Sequence, residues 1–237
     1  MQEQEKIIKM FDDIAPTYDK ANRILSFGID IKWRKKGCQK ALACFEDKNL
    51  ELQIADIACG TGDLILTWQD KARQLGQKIQ TIIGVDPSEK MLELAQKKIE
   101  NAKFIKASAT KLPFDDRQMD ILSISYGIRN VLERKRAWQE FARVLRKDGI
   151  LLVLEFTKPS DKGILRSLSN FYLHTILPKI GGFISKNKAA YEYLPSSIEA
   201  FITKDDFIKE LDEAGFDIVF YDSFSFGISS MFVAKKR

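Results

Sequence analysis

A chain of 237 residues, 45% hydrophobic and 30% charged, has the size and balance of one large globular domain, which excludes a disordered or collagen-like chain. The opening MQEQEKIIKM is too charged for a secretion signal, and no apolar run reaches the ~20 residues of a membrane-spanning helix. Three cysteines and one histidine give no metal cluster to expect and suit reduced thiols in the cytoplasm, while a net charge of +5 suits an anionic membrane surface or nucleic acid and selects neither.

Residues 1–50 read as a helical leader. Ile7 to Tyr18 predicts a short helix followed by a turn at Pro16, and a second helix opens at Trp33-Arg34 and runs to about Phe45. Such a leader packs on a sheet edge or closes over a ligand site. Next comes Leu52 to Leu64, LQIADIACGTGDL, which reads as a buried strand, a tight glycine turn and a helix start. Gly60 and Gly62 let the backbone turn sharply and approach a ligand closely. The third glycine of a dinucleotide fingerprint would fall at position 65, which is Ile65. A phosphate wants bare amides and no nearby anion, yet Asp56 and Asp63 flank this turn. Two carboxylates suit a ligand with positive charge, such as the sulfonium and ammonium of S-adenosylmethionine. Taken alone, the stretch serves equally as an ordinary strand–helix turn.

Lys78 to Val85 is a second apolar strand that ends at Asp86, and Ser88 is placed to cap the helix that follows. An acidic residue ~20 residues past the glycine turn is where doubly wound folds grip ribose hydroxyls. Lys103 to Ala107 is a short third strand, and the loop beyond it carries Ser108 and Ala109. That loop either flanks an adenine or only caps the core. Met119 to Ser125 is the fourth strand, and it runs into Tyr126-Gly127-Ile128-Arg129-Asn130 at the carboxyl end of the sheet, where open α/β folds bind ligands. A helix from Arg134 to Leu145 precedes a fifth strand, Leu151 to Phe156.

Residues 160–203 break the rhythm as an apolar helical insertion, suited to cap a greasy substrate, rest on a membrane surface or bury its own face. His174 lies in it and reads as structural. A helix from Lys204 to Ala214 leads to a terminal hairpin, Asp217 to Phe224 and Ile228 to Ala234. Strands alternating with helices predict a single α/β domain with a doubly wound, mostly parallel sheet and an antiparallel C-terminal hairpin.

FDDIAPTYDKANRILSFGIDIKWRK, DIACGTGDL, ISYGIRNV, RVLRKDGILLVLEFTKP and YEYLPSSIEAF, in this order, resemble the C-methyltransferases of menaquinone and ubiquinone biosynthesis, a branch of the class I S-adenosylmethionine-dependent methyltransferases. The resemblance implies a seven-stranded Rossmann-like sheet and S-adenosylmethionine as cofactor. It implies cofactor contacts at Thr61, Asp86, Ser108, Ala109 and Ser125, which join Asp56, Gly60 and Gly62 from the turn. Cys59 and Ser108 depart from the residues common in that family.

The implied reaction methylates a ring carbon of a prenylated quinol, demethylmenaquinol by preference, with the methoxybenzoquinol of ubiquinone synthesis as the alternative. Arg129 is the expected chief chemical residue, stabilising a phenolate or orienting a water, with Asn130 holding the second oxygen and Tyr18, Asp19 or Tyr191 positioning the ring or relaying the proton. A cytoplasmic protein in transient contact with a membrane surface is expected, and the leader and hairpin are candidate homodimer contacts. Nucleic acid is not an expected partner. Amino-methylating DNA enzymes carry Asp/Asn-Pro-Pro-aromatic where this chain has SISYGIRN, and no cysteine here follows a proline.

Overall fold

The structure is a computed structural model that describes residues 2–158, 175, 182, 187–225 and 227–237. His174 and most of the expected insertion lie outside the described residues. Strand sequences that are apolar on both faces must be covered on both sides. Accordingly β1 (Leu52–Ile57), β2 (Ile79–Asp86), β3 (Lys103–Lys106), β4 (Met119–Ser125) and β5 (Leu145–Phe156) lie parallel in the middle of a layered fold. With β6 (Phe216–Phe224) and β7 (Ser229–Lys236) they make seven strands in the order β3-β2-β1-β4-β5-β7-β6, and β7 runs antiparallel to both neighbours.

Successive strand residues point to opposite faces. Leu152 and Leu154 of β5 and Val233 of β7 therefore meet α3 (Ile29–Leu42) and α4 (Asp63–Leu75), where Cys38, Leu42, Ile65 and Trp68 are buried. Leu151, Val153 and Phe232 meet α6 (Arg134–Val144) and α8 (Lys204–Glu213) through Trp138, Phe141, Phe207 and Leu211. Each such side chain contributes about 1.5–3 kcal/mol on burial, so the two faces outweigh any single cap or ion pair. A third apolar cluster joins Ile14 of α1 (Gln2–Ile14), Ala21 of α2 (Tyr18–Ser26), Met91 of α5 (Glu89–Lys98) and Ala190, Tyr191 and Ile198 of α7 (Lys188–Ala200).

Ser88 caps α5 as expected, its hydroxyl accepting the Met91 N–H at 3.2 Å. The leader is more helical than expected. A 3-10 turn, Ala15–Thr17, takes up Pro16 and joins α1 to α2, and Phe27 and Gly28, at φ 51° and 70°, reverse the chain into α3. The fifth strand begins at Leu145, which pairs with Met119, while Arg146–Gly149 form an irregularity before Ile150 pairs with Ile121. Gly62 stands at φ 83° just before α4, and a Cβ there would collide with Ile99 Cδ1. The backbone favours glycine at this position, and a side chain there displaces the Ile99 δ-methyl as well. Gly62→Ala is expected to cost about 2 kcal/mol or more in urea unfolding. Gly76→Ala, at φ 66° with open space around it, should cost only about 1 kcal/mol. Equal losses would remove the packing role of Gly62.

Candidate active site

The β1–α4 turn is built from left-handed residues, Ala58, Gly60 and Gly62, and its amides are held by protein: Cys59 N–H by the Val85 carbonyl and Gly62 N–H by the Cys59 carbonyl. The Gly60 N–H donates to Asp86 Oδ2 at 2.8 Å and the Ser88 N–H donates to Asp86 Oδ1 at 2.8 Å. One carboxylate thus ties the turn after β1 to the end of β2. Burial pushes the Asp86 carboxyl up to about 6 against these two hydrogen bonds. Asp56 lies deeper in β1, where its carboxylate accepts the Ser123 hydroxyl at 2.7 Å and burial pushes it up to about 7. The Trp68 indole N–H in turn donates to the Ser123 oxygen at 3.0 Å.

Two cavities open at the carboxyl ends of the strands. The first, about 90 Å³, is lined by Gly60, Asp86, Ser108, Ala109, Ser125 and Asn130 and roofed by Gln4, Ile7, Ile8 and Phe11 of α1. The second, about 550 Å³, is largely apolar, with Met10, Ile14, Leu25, Trp33, Phe156 and Leu194 in its wall beside Arg129 and Tyr191. Phe11, Tyr18 and Tyr126 belong to both and form the partition between them. Ser125 Oγ is buried in the first cavity without a hydrogen-bond partner. Such an unmade bond costs about 1–3 kcal/mol and marks a place where a ligand atom belongs.

Arg129 sits in the second cavity with much of its guanidinium already engaged. Nη1 pairs with Glu155 Oε1 at 2.7 Å and donates to the Tyr126 carbonyl at 2.8 Å, and Nε donates to Ser197 Oγ at 3.3 Å. The Arg129 backbone N–H donates to Glu155 Oε2 at 3.1 Å. Nη2 makes no hydrogen bond to another described residue. Tyr126 reaches this place at φ 58°, a conformation a non-glycine residue seldom adopts, while its hydroxyl bonds to Ser229 Oγ at 3.0 Å. Burial keeps the hydroxyls of Tyr18, Tyr126 and Tyr191 protonated, raising Tyr191 to about 12. Asn130 accepts the Tyr193 hydroxyl at Oδ1, 3.0 Å, and its carbonyl accepts Gln4 Nε2 at 3.0 Å.

The structure brings Tyr18, Gly60, Asp86, Ser108, Ala109, Ser125 and Asn130 together in the first cavity. Asp56, Thr61, Gly62 and Asp19 line neither. The Thr61 hydroxyl donates to Asp19 Oδ1 at 2.5 Å, and Asp19 Oδ2 meets Lys98 Nζ at 2.9 Å, so this pair fastens the leader to the turn. Asp63, expected to face a cationic ligand, is already taken by protein cations: Arg23 at 2.5 Å, Lys98, and Arg34 at 3.6 Å. Sequence reasoning missed Phe11, Tyr126 and Glu155 as parts of the site. An acidic residue inside the apolar strand ILLVLEF was the one available signal for Glu155.

A cradle where the strand order reverses between β1 and β4 is the hallmark of doubly wound nucleotide-binding folds, and the seven-stranded sheet with its antiparallel end is that of class I S-adenosylmethionine-dependent methyltransferases. A solved S-adenosylmethionine-dependent methyltransferase from Thermotoga maritima superimposes with a TM-score of 0.60 at 20% identity, covering 97% of this chain and 99% of that one. The ubiE/COQ5 methyltransferase family model matches residues 1–236, and the chain belongs to that family. It is 61% identical over the full length of both chains to the ubiquinone/menaquinone biosynthesis C-methyltransferase UbiE of Campylobacter jejuni strain 81-176. It is also 38% identical to the demethylmenaquinone methyltransferase of Thermotoga maritima, over 95% of this chain and 94% of that one.

The buried acids set a pH dependence. Asp56 and Asp86 hold protons more tightly folded than unfolded, so between pH about 4 and about 7 the folded state binds more protons and stability falls as pH rises. Burial alone would raise Asp63 as well, but Lys98, Arg34 and Arg23 outweigh it and hold its carboxyl low, so its contribution is lost only in stronger acid. Urea midpoints should therefore drop from pH 5 to pH 7.5. Asp56→Asn, which keeps an acceptor for Ser123, should flatten the drop. A flat profile in the unsubstituted chain would contradict this account.

Proposed function

We propose that this chain transfers the methyl group of S-adenosylmethionine to a ring carbon of a prenylated quinol, converting demethylmenaquinol to menaquinol. Methylation of the methoxybenzoquinol of ubiquinone synthesis is the second reading, favoured by the name of the Campylobacter relative. The observation that carries the proposal is the pair of cavities meeting at Phe11, Tyr18 and Tyr126: a small one in which Asp86, Ser108 and Ser125 stand among apolar groups, and a larger one that is largely apolar.

The residues of the first cavity fit the cofactor. Asp86 has lone pairs left to accept ribose hydroxyls, Ser108 and Ala109 flank the base, and Ser125 Oγ gains the partner it lacks. Gly60 leaves room, since the nearest atom to a Cβ there would be Tyr18 Cε1 at 4.0 Å. When bound, S-adenosylmethionine supplies a methyl already activated by its sulfonium, so the protein's task is to position and ionise the acceptor. A quinol ring carbon becomes nucleophilic when the neighbouring hydroxyl is ionised. Nη2 of Arg129, which bonds no other described residue, donates to that oxygen, and Glu155 holds the guanidinium in place. Tyr18 and Tyr126, protonated, exclude water from the partition and orient the ring. The hydroxyl proton passes to bulk water as the phenolate forms; after methyl transfer the ring carbon loses its proton and the oxygen regains one, so one proton is released per turnover. Among the described residues no helix is long and apolar enough to cross a membrane. We read the protein as a cytoplasmic one that meets its lipid-borne acceptor at the membrane face.

Purified protein with labelled S-adenosylmethionine should methylate a prenylated demethylnaphthoquinol under anaerobic, lipid-containing conditions. Transfer only to the prenylated methoxybenzoquinol would reverse the preference, and transfer to neither would end the quinol reading. Asp86→Asn should weaken cofactor binding about 10- to 100-fold. Arg129→Lys keeps a cation beside Glu155 and so preserves the fold. It should lower kcat about 100-fold with cofactor affinity little changed. Unchanged turnover would remove Arg129 from the chemistry.

A further inference from the structure

The corner between α2 and α3 is unlike the rest of the surface. Phe27 is 87% exposed there, with Ile24 at 42% and Ile29 at 43% beside it. Exposed single apolar residues are ordinary, but Phe27 also stands at φ 51°, where a bulky side chain is disfavoured and glycine or asparagine is the usual choice. Neither packing nor backbone preference explains an aromatic residue at this tip, and residues held in such conformations cluster where function demands them.

Charge is concentrated at the same corner. The helices α2 and α3 carry seven basic residues against two acidic ones. That excess equals the +5 of the whole chain, so the remainder is neutral on balance. Both acids are paired with protein cations, Asp30 buried with Arg23 and Arg34, and Asp19 partly exposed with Lys98. Lys20, Lys32 and Lys35 are exposed and make no ion pair among the described residues. Phe27, Ile29 and Lys32 also form part of the wall of the apolar cavity, so its mouth opens beside this corner.

We propose that the α2–α3 corner docks on an anionic lipid bilayer, Phe27 entering the interface with Ile24 and Ile29 while Lys20, Lys32 and Lys35 meet the headgroups. An apolar tip ringed by lysines is the combination that holds a protein at such a surface. Docking places the cavity mouth against the lipid, and a prenyl chain enters without crossing water. The inference rests on the quinol reading for its purpose, and its readout needs no methyl acceptor.

The test is co-sedimentation of the full chain with vesicles of phosphatidylcholine, with and without phosphatidylglycerol. The unsubstituted chain should bind the anionic vesicles, and added salt should weaken binding. Phe27→Ser and the double variant Lys20→Glu/Lys35→Glu should each lower vesicle affinity about tenfold or more. The double variant lies outside the cavity wall and should keep its turnover on a tail-less quinol. It should raise KM for a long-tailed quinol presented in anionic vesicles. Equal vesicle affinity for all three proteins overturns the proposal. So does a loss of self-association in sedimentation velocity with vesicle binding unchanged, because the corner would then bind a second copy of the chain. Vesicle binding without methyl transfer to any quinol rejects the quinol reading and leaves the docking surface standing. Methyl transfer without vesicle binding rejects the surface alone.

Discussion

Asp63 is the anchor on which the site depends. It begins α4, directly beneath the glycine turn, and draws Arg23 from α2, Arg34 from α3 and Lys98 from α5 to one point. Arg23 and Arg34 also hold Asp30, which accepts the Ser26 hydroxyl at 2.7 Å. Exposed pairs are worth little, but these groups are mostly sheltered and share partners, which makes them a network. Its effect is geometric. The leader is fastened across the carboxyl end of the sheet, and Phe11 and Tyr18 are carried to the partition between the two cavities.

With the leader in that position, the chemistry divides cleanly. The ends of β1, β2 and β4 line the smaller cavity. The leader and α7 supply the apolar chamber. Arg129 stands in the wall of that chamber, and Glu155, fully buried, holds its guanidinium. A buried ion pair is not chiefly a source of stability, since desolvation cancels much of its attraction. Here it fixes the side chain: Glu155 takes both the guanidinium and the backbone N–H of Arg129.

Much of this was legible in the chain. The glycine turn, Asp86 at the end of β2, the Ser88 cap and the terminal hairpin are local patterns, and each was found where the spacing put it. Asp63 was not legible in its true role. Its partners Arg23 and Arg34 lie far earlier in the sequence, and only tertiary structure brings them near. The start of the fifth strand at Leu145 was hidden because Arg146-Lys147-Asp148-Gly149 reads as a turn, while the sheet absorbs it as an irregularity. Tyr126 was hidden for a third reason: its importance lies in a backbone conformation that its residue type does not announce.

The roof of the first cavity has a further consequence. Of the residues of α1 only Ile14 is buried, and polar side chains tie the helix down. Gln4 bonds with the Asn130 carbonyl and the Leu132 N–H, and Asp12 accepts the Ser88 hydroxyl at 2.6 Å. A segment held this way opens at a small fraction of the free energy needed to unfold the sheet. A local fluctuation of this helix therefore uncovers both cavities at once, since Phe11 lines both and Met10 and Ile14 line the second, while the strands beneath stay intact.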